Sequence, residues 1–408
     1  MISAPAGRAT AWDPLRHPAF RLVWMTFLGV QLANWSETVG AVAVISAQSG
    51  SAALLALVQT ASTLPAVAVA LPAGAAADLV DRRSLLVALV ASMCASMLLL
   101  TAAVATDTAT PAVVLALTFA MGCAIAVAIP AFASLIPDLV PPDELAAAVT
   151  LNGISINLAR ALGPALAGIV LALTTASALF GLIAGALGAM ALLLLATPRA
   201  AGTPPDQSGE GWTAAMRAGV RFARSSTDLQ AVLGRGFAFV VPASALWAVL
   251  PAVAVHRLDL EPAAFGGVLA ALGSGAVFGA QVLPWLRARL GLDWLVSLGT
   301  AYGAANLVLL SVVESTAIAV ASLVVAGAAW IAVLSSLNTA AQLAAPAWVR
   351  GRALSINQLV FAAGMAAGSA AWGLIAEAAG LESALIAAGG VLVASLAAAR
   401  RWPLARLN

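Results

Sequence analysis

The sequence predicts an all-α integral membrane protein with twelve transmembrane helices in two pseudo-symmetric six-helix bundles. Three observations carry this. Hydrophobic residues make up 62% of the chain and charged residues only 9%, against roughly 25% charged in a soluble domain. The charges gather in short clusters, and almost nothing charged lies between them. A shift of 205 residues then superposes the two halves: Gly74 falls on Gly279, Arg82 on Arg287, Asn152 on Asn357 and Gly168 on Gly373. A duplicated helical bundle produces such a register.

A helix needs about 20 apolar residues to cross the hydrocarbon core, and twelve stretches meet this. Segment 1–19 is polar to mixed, and span 1 (20–46) is too long for the core of a cleavable signal, so it is expected to be retained. Span 2 (52–77) ends at Asp78, and Asp81, Arg82 and Arg83 separate it from span 3 (84–106). Asp107 marks the turn into span 4 (110–136). Asp138, Asp143 and Glu144 lead into span 5 (145–173), and span 6 (177–197) completes a first bundle over 20–197. Residues 198–229 form a linker, opened by Pro204-Pro205-Asp206-Gln207-Ser208-Gly209. It is closed by a basic amphipathic stretch with Arg217, Arg221 and Arg224, suited to lie on anionic headgroups.

The second bundle covers 230–400. Spans 7 (230–255) and 8 (262–286) flank Arg257, Asp259 and Glu261, while Arg287, Arg289 and Asp293 mark the entry to span 9 (292–312). Glu314 precedes span 10 (316–344), Arg350 and Arg352 begin span 11 (352–376), and Glu377 and Glu382 flank the turn to span 12 (382–400). A tail follows over 401–408. Runs this long, with few β-branched clusters and no short-range alternation, argue against a β-barrel.

Sidedness follows from the arginines. All 19 basic side chains are Arg, and all but Arg160 and Arg257 belong to the termini or to the loops after even-numbered spans. The positive-inside rule places both termini and the linker in the cytoplasm of a multi-pass cell-membrane protein. The net charge of +2 is thus the remainder of a strong asymmetry and implies no nucleic-acid partner.

Several chemistries are excluded. Without lysine there is no Walker-type phosphate loop. His17 and His256 stand alone near helix ends, so neither a metal cluster nor a Ser-His-acid set can be assembled, and no cofactor is expected. Cys94 and Cys123 fall mid-span, where small core residues are ordinary. An enzyme is therefore not expected.

Gly74-Ala75-Ala76-Ala77-Asp78-Leu79-Val80-Asp81-Arg82-Arg83 resembles the G-x-x-x-D-x-x-[DG]-R-[RK] signature of the major facilitator superfamily, between spans 2 and 3. The stretch from Asn157 through Arg160, Gly163 and Pro164 to Gly168 is similar to the span 5 motif associated with its exporters. Ile136-Pro137-Asp138-Leu139-Val140-Pro141-Pro142-Asp143-Glu144-Leu145 and Trp348-Val349-Arg350-Gly351-Arg352-Ala353-Leu354 look like the branch of enterobactin- and macrolide-type exporters. Two departures stand out. The second copy of the first signature has Leu283 in place of Asp78, and span 4 lacks the arginine of many proton-coupled drug exporters.

The resemblance implies a conformational latch. Asp78 would meet the N-terminus of span 11 near Arg350 and Arg352, where a helix dipole and a guanidinium each contribute about 0.5–2 kcal/mol. Gly74, Asp81, Arg82 and Arg83 complete the signature. Gly163-Pro164 removes a backbone hydrogen bond and kinks span 5, among small residues that allow close packing.

Glu37 and Arg160 are the costliest residues, since a charge mid-membrane costs about 2.5–3.5 kcal/mol or more on insertion scales. They are expected at nearly equal depth, where they would form either a coupling pair or a structural ion pair. Gln31, Asn34 and Thr38 share one face of span 1, and Ser335, Asn338 and Gln342 share one face of span 10. In the superfamily fold these faces would line a central path, with Trp247 of span 7 adding an aromatic wall. The resemblance implies a monomeric secondary exporter of small, amphipathic organic molecules, working by alternating access and coupled to protons. An importer of the same fold, or a non-transporting receptor or scaffold, remains the alternative.

Overall fold

The computed structural model describes residues 12–79, 81–196, 220–346, 349–397 and 401–404, without the side chains of 68–79, 82, 146, 196, 262 and 263. A short 3-10 turn, Asp13–Arg16, leads into α1 (Pro18–Gln48). The first half continues with α2 (Ala52–Leu79), α3 (Arg82–Ala105), α4 (Pro111–Leu139), α5 (Leu145–Leu173) and α6 (Ala176–Ala196). The second half holds α7 (Thr227–His256), α8 (Pro262–Val312), α9 (Thr316–Leu343), α10 (Arg350–Ala379) and α11 (Leu381–Ser395). Segment α8 is two helical limbs joined by a kink at Gly291 (φ 74°, ψ 169°), and the limbs supply spans 8 and 9. Only glycine adopts that backbone conformation without strain. Counted this way the described residues hold twelve membrane-spanning helices.

Local chemistry sets the helix ends. Asp81 Oδ2 accepts from the Ser84 backbone N–H at 2.9 Å and caps α3. Thr110, Ser226 and Ser315 do the same for α4, α7 and α9. At the other terminus of α3's partner, Arg83 donates to the carbonyls of Leu194 (2.9 Å) and Leu195, satisfying orphan acceptors at the end of α6.

Helices α1 and α5 run parallel with a constant offset of 127 residues. His17 Nε2 meets Glu144 Oε2 at 3.0 Å, Trp24 Nε1 donates to the Leu151 carbonyl at 3.1 Å, and Ser36 Oγ donates to the Gly163 carbonyl at 2.9 Å. Residue 160 is therefore level with residue 33, not with 37.

The internal repeat is visible in the packing. Gly122 of α4 sits against Ser62 and Pro65 of α2, and Gly327 of α9, one repeat later, sits against Leu272 and Ala276 of α8. Small residues let these backbones approach, as is usual between membrane helices. The bundles meet through the two equivalent pairs α5–α8 and α2–α10. Gly168 lies on Gly266 in the first pair, and Gly373 lies on Ala53 and Ala56 in the second.

One arginine departs from the sequence expectation. Arg235 does not belong to a loop after an even-numbered span: it lies inside α7, 5% exposed, paired with Asp293 and donating to Ser297 Oγ at 3.0 Å. Asp293 also accepts from the Leu404 backbone N–H at 3.0 Å, so the buried guanidinium is compensated by a carboxylate that ties the C-terminal segment to α8.

Candidate functional site

Between the bundles lies a cavity of about 260 Å³ bounded by α1, α2, α4, α5, α7, α9 and α10. From α1 it receives Asn34, Trp35 and Thr38, and from α2 Gln59, Ser62 and Thr63. Its far wall is aromatic. Trp247 of α7 stacks with Trp35 (centroids 5.6 Å) and with Trp330 of α9 (5.4 Å), and Trp330 meets Phe361 of α10 at 6.2 Å. Trp247 is 7% exposed, and its indole N–H has no hydrogen-bond partner. A larger recess, about 560 Å³, lies among helix ends far from the termini, beside Gln48, Asp107 and Glu261. Its lining comes from the first bundle apart from Glu261, whereas helices of both bundles wall the central cavity.

Arg160 borders the central cavity with its guanidinium over the Trp35 ring, 5.5 Å from the centroid. Its Nε and Nη1 are buried without a hydrogen-bond partner. Glu37 is 1% exposed and faces α4, where Thr118 Oγ1 donates to Glu37 Oε1 at 2.6 Å. No ion pair joins Glu37 to Arg160, contrary to the sequence expectation. The register explains this: α1 meets α5 through Trp35 and Ser36, so Glu37 is rotated past the contact toward α4. Arg160 also sits about 6 Å, one helical turn, lower along the shared axis.

The span 10 stripe also departs from expectation. Ser335 accepts from Arg287 Nη2 at 3.0 Å, and Asn338 Oδ1 accepts from Asn357 Nδ2 at 2.8 Å. Gln342 is exposed. These polar groups join α9 to α8 and α10, whereas the cavity is faced by Trp330 and Leu334. On span 1, Asn34 and Thr38 reach the cavity. Gln31, one turn away, is buried with an unpartnered Oε1 and does not border it. Trp35, Gln59, Trp330 and Phe361 were not foreseen. The available signal was two further tryptophans, Trp35 and Trp330, and Phe361 at mid-span on inner helices.

At the end away from the termini the bundles are joined. Glu377 of α10 accepts from Ser51 Oγ (3.0 Å) and from the Ala53 backbone N–H (3.3 Å), and His256 Nε2 lies 2.9 Å from the Gly50 carbonyl. Along α5, Gly163 packs on Trp35, and the Pro164 carbonyl and Gly168 face Gly266. A methyl at Gly266 would collide with that carbonyl and come within 2.8 Å of Gly168 Cα. The span 5 motif is therefore part of the interface between the bundles. Of the latch residues, Asp81 and Arg83 serve α3 and α6 as described, and Arg350 Nε donates to the Ala345 carbonyl at 3.4 Å. The side chains of Gly74, Asp78 and Arg82 lie outside the described residues.

A two-bundle fold with a central cavity walled by both halves and closed at one end defines a transporter. Residues 9–408 match the family described as transmembrane secretion effector, and the chain belongs to that family and through it to the major facilitator superfamily. Its fold is shared with a bacterial homologue of the human lysosomal transporter Spinster in an inward-facing, occupied conformation. That structure is 15% identical, with 97% of this chain and 98% of that one covered and a TM-score of 0.77. The nucleoside transporter NupG is also similar at 13% identity, covering 94% of this chain and 98% of that one, TM-score 0.72. So is a POT family transporter in complex with a thioalcohol-conjugated peptide, at 13% identity, 93% and 95% covered, TM-score 0.74. No curated protein sequence matches the chain. Family and neighbours are transporters and not enzymes.

Proposed function

We propose that this protein is a proton-driven exporter of small amphipathic organic molecules, resembling the enterobactin- and macrolide-type branch, and working as a monomer in the cell membrane with cytoplasmic termini. The observation that carries the reading is the central cavity, aromatic on one wall and polar on the other, set between bundles that are joined at the end away from the termini. With cytoplasmic termini this conformer would load substrate from inside. The family's description as a secretion effector supports outward transport.

Glu37 supports proton coupling. It is a buried carboxyl next to the cavity-lining residues of α1, held by a neutral hydroxyl and by no cation. Such a group can take up and release a proton without breaking an ion pair. In the opposite conformer the bundles would close at the cytoplasmic end, with Asp78 latched to the N-terminus of α10. Cells lacking their own efflux pumps test the reading: expression should lower the accumulation of an amphipathic dye, and a protonophore should restore it. Well-folded Glu37→Gln should retain dye binding and lose uphill efflux. Unchanged uphill efflux in that variant would remove Glu37 from the coupling mechanism.

A further inference from the structure

We infer that the cavity selects organic anions carrying a flat aromatic group, with Arg160 as the anion-binding residue and the Trp35, Trp247, Trp330 and Phe361 rings as the slot for the ring. This rests on the transport reading above and narrows it to a substrate class.

Arg160 carries the argument. A guanidinium presents five N–H donors and stays charged, and inside a membrane it requires a partner. Here two of its nitrogens are buried without a hydrogen bond, and its contact is the face of Trp35. Two compensations are ruled out by geometry. Glu37, the nearby buried acid, faces α4 and bonds to Thr118. Among the described residues that line the cavity there is neither aspartate nor glutamate. The site is thus a positive charge with unpartnered donors, beside a cavity with one aromatic and one neutral polar wall. A carboxylate suits it, because two parallel N–H···O bonds to a guanidinium satisfy both groups at once.

The second observation is independent of charge. Trp35, Trp247 and Trp330 form a continuous train with centroids 5.6 and 5.4 Å apart, continued by Phe361. Trp247 also leaves an indole N–H without a partner at the cavity wall. Rings presented this way accept a flat aromatic body, and the free N–H can donate to a second substrate oxygen. A cationic amphiphile would be attracted to the rings but repelled by Arg160, with no carboxylate on the lining to offset the repulsion.

The test uses the full-length protein in lipid nanodiscs and calorimetric titration with three probes sharing one ring: naphthoate, naphthamide and naphthylmethylammonium. Naphthoate should bind about ten- to a hundredfold more tightly than naphthamide, as expected for a charge-assisted pair, and naphthylmethylammonium should bind least. Arg160→Gln should abolish the difference between naphthoate and naphthamide while leaving naphthamide affinity in place. Arg160→Lys should keep part of it. Inorganic phosphate should not compete, because it lacks the ring. The wild-type ranking alone decides the matter if a variant fails to fold. Equal affinity for the three probes, a preference for naphthylmethylammonium, or no binding of any probe would each overturn the inference. If naphthylmethylammonium is the probe bound and also extruded by cells, the export reading stands and only the anion selectivity falls.

Discussion

Thr118 holds the Glu37 carboxyl against α4, on the side that the packing of α1 on α5 turns it toward and away from Arg160. The sequence placed Glu37 and Arg160 in the membrane interior but missed their relative depth by one turn, because the 127-residue register between α1 and α5 is set by packing. Their azimuths were not readable. They depend on which side chains of α1 meet α5, and the Ser36–Gly163 contact settles that only once the helices are packed. Thr118→Val keeps the shape and removes the donor to Glu37 Oε1. It should cost about 1–3 kcal/mol of stability, read as a lower unfolding temperature in detergent. Uphill efflux should slow as well, since the acid loses the group that positions it. If both measurements match wild type, the hydrogen bond contributes neither stability nor positioning.

At the level of elements, glycines at the interface between bundles set how closely the halves approach. Gly266→Leu should insert and fold but lose transport, because the side chain meets the α5 backbone at Pro164 and Gly168. Accessibility of a cysteine at Ala53 should rise in the same variant as the closed end is wedged open. Gly291→Ala acts differently. It places a β-carbon at φ 74°, ψ 169° and should destabilise the turn between the limbs of α8 by about 1–3 kcal/mol, measured by thermal unfolding. The spans and the repeat were legible because apolar run length and charge clusters are one-dimensional signals. The polar faces were only half legible. In a membrane, Ser and Asn serve as readily between helices as in a cavity, so Asn338 bonds Asn357 while Trp330 and Leu334 face the void.

For the whole molecule, the two equivalent interfaces α5–α8 and α2–α10 form the surface on which rigid halves would rock. The bonds of Glu377 to Ser51 and Ala53 belong to the conformer closed away from the termini. Asp78→Asn weakens the latch proposed for the opposite conformer. It should reduce transport while leaving membrane insertion intact, and normal transport across pH and substrate concentration would count against the latch. Topology is tested separately: cysteines at Ser208 and Asp107 should react with impermeant reagents from opposite sides of the membrane. Labelling from one side would refute the orientation.

The tryptophan train has an optical consequence. Indoles held this close at fixed, non-parallel angles couple their intense short-wavelength transitions and give a paired positive and negative band in far-ultraviolet circular dichroism. The Trp247–Trp330 coupling lies within one half and should persist through the transport cycle. The Trp35–Trp247 coupling crosses from α1 to α7 and should fade when the halves rock apart. The unlabelled protein would then carry its own gauge of conformation, with a constant part to calibrate the part that moves.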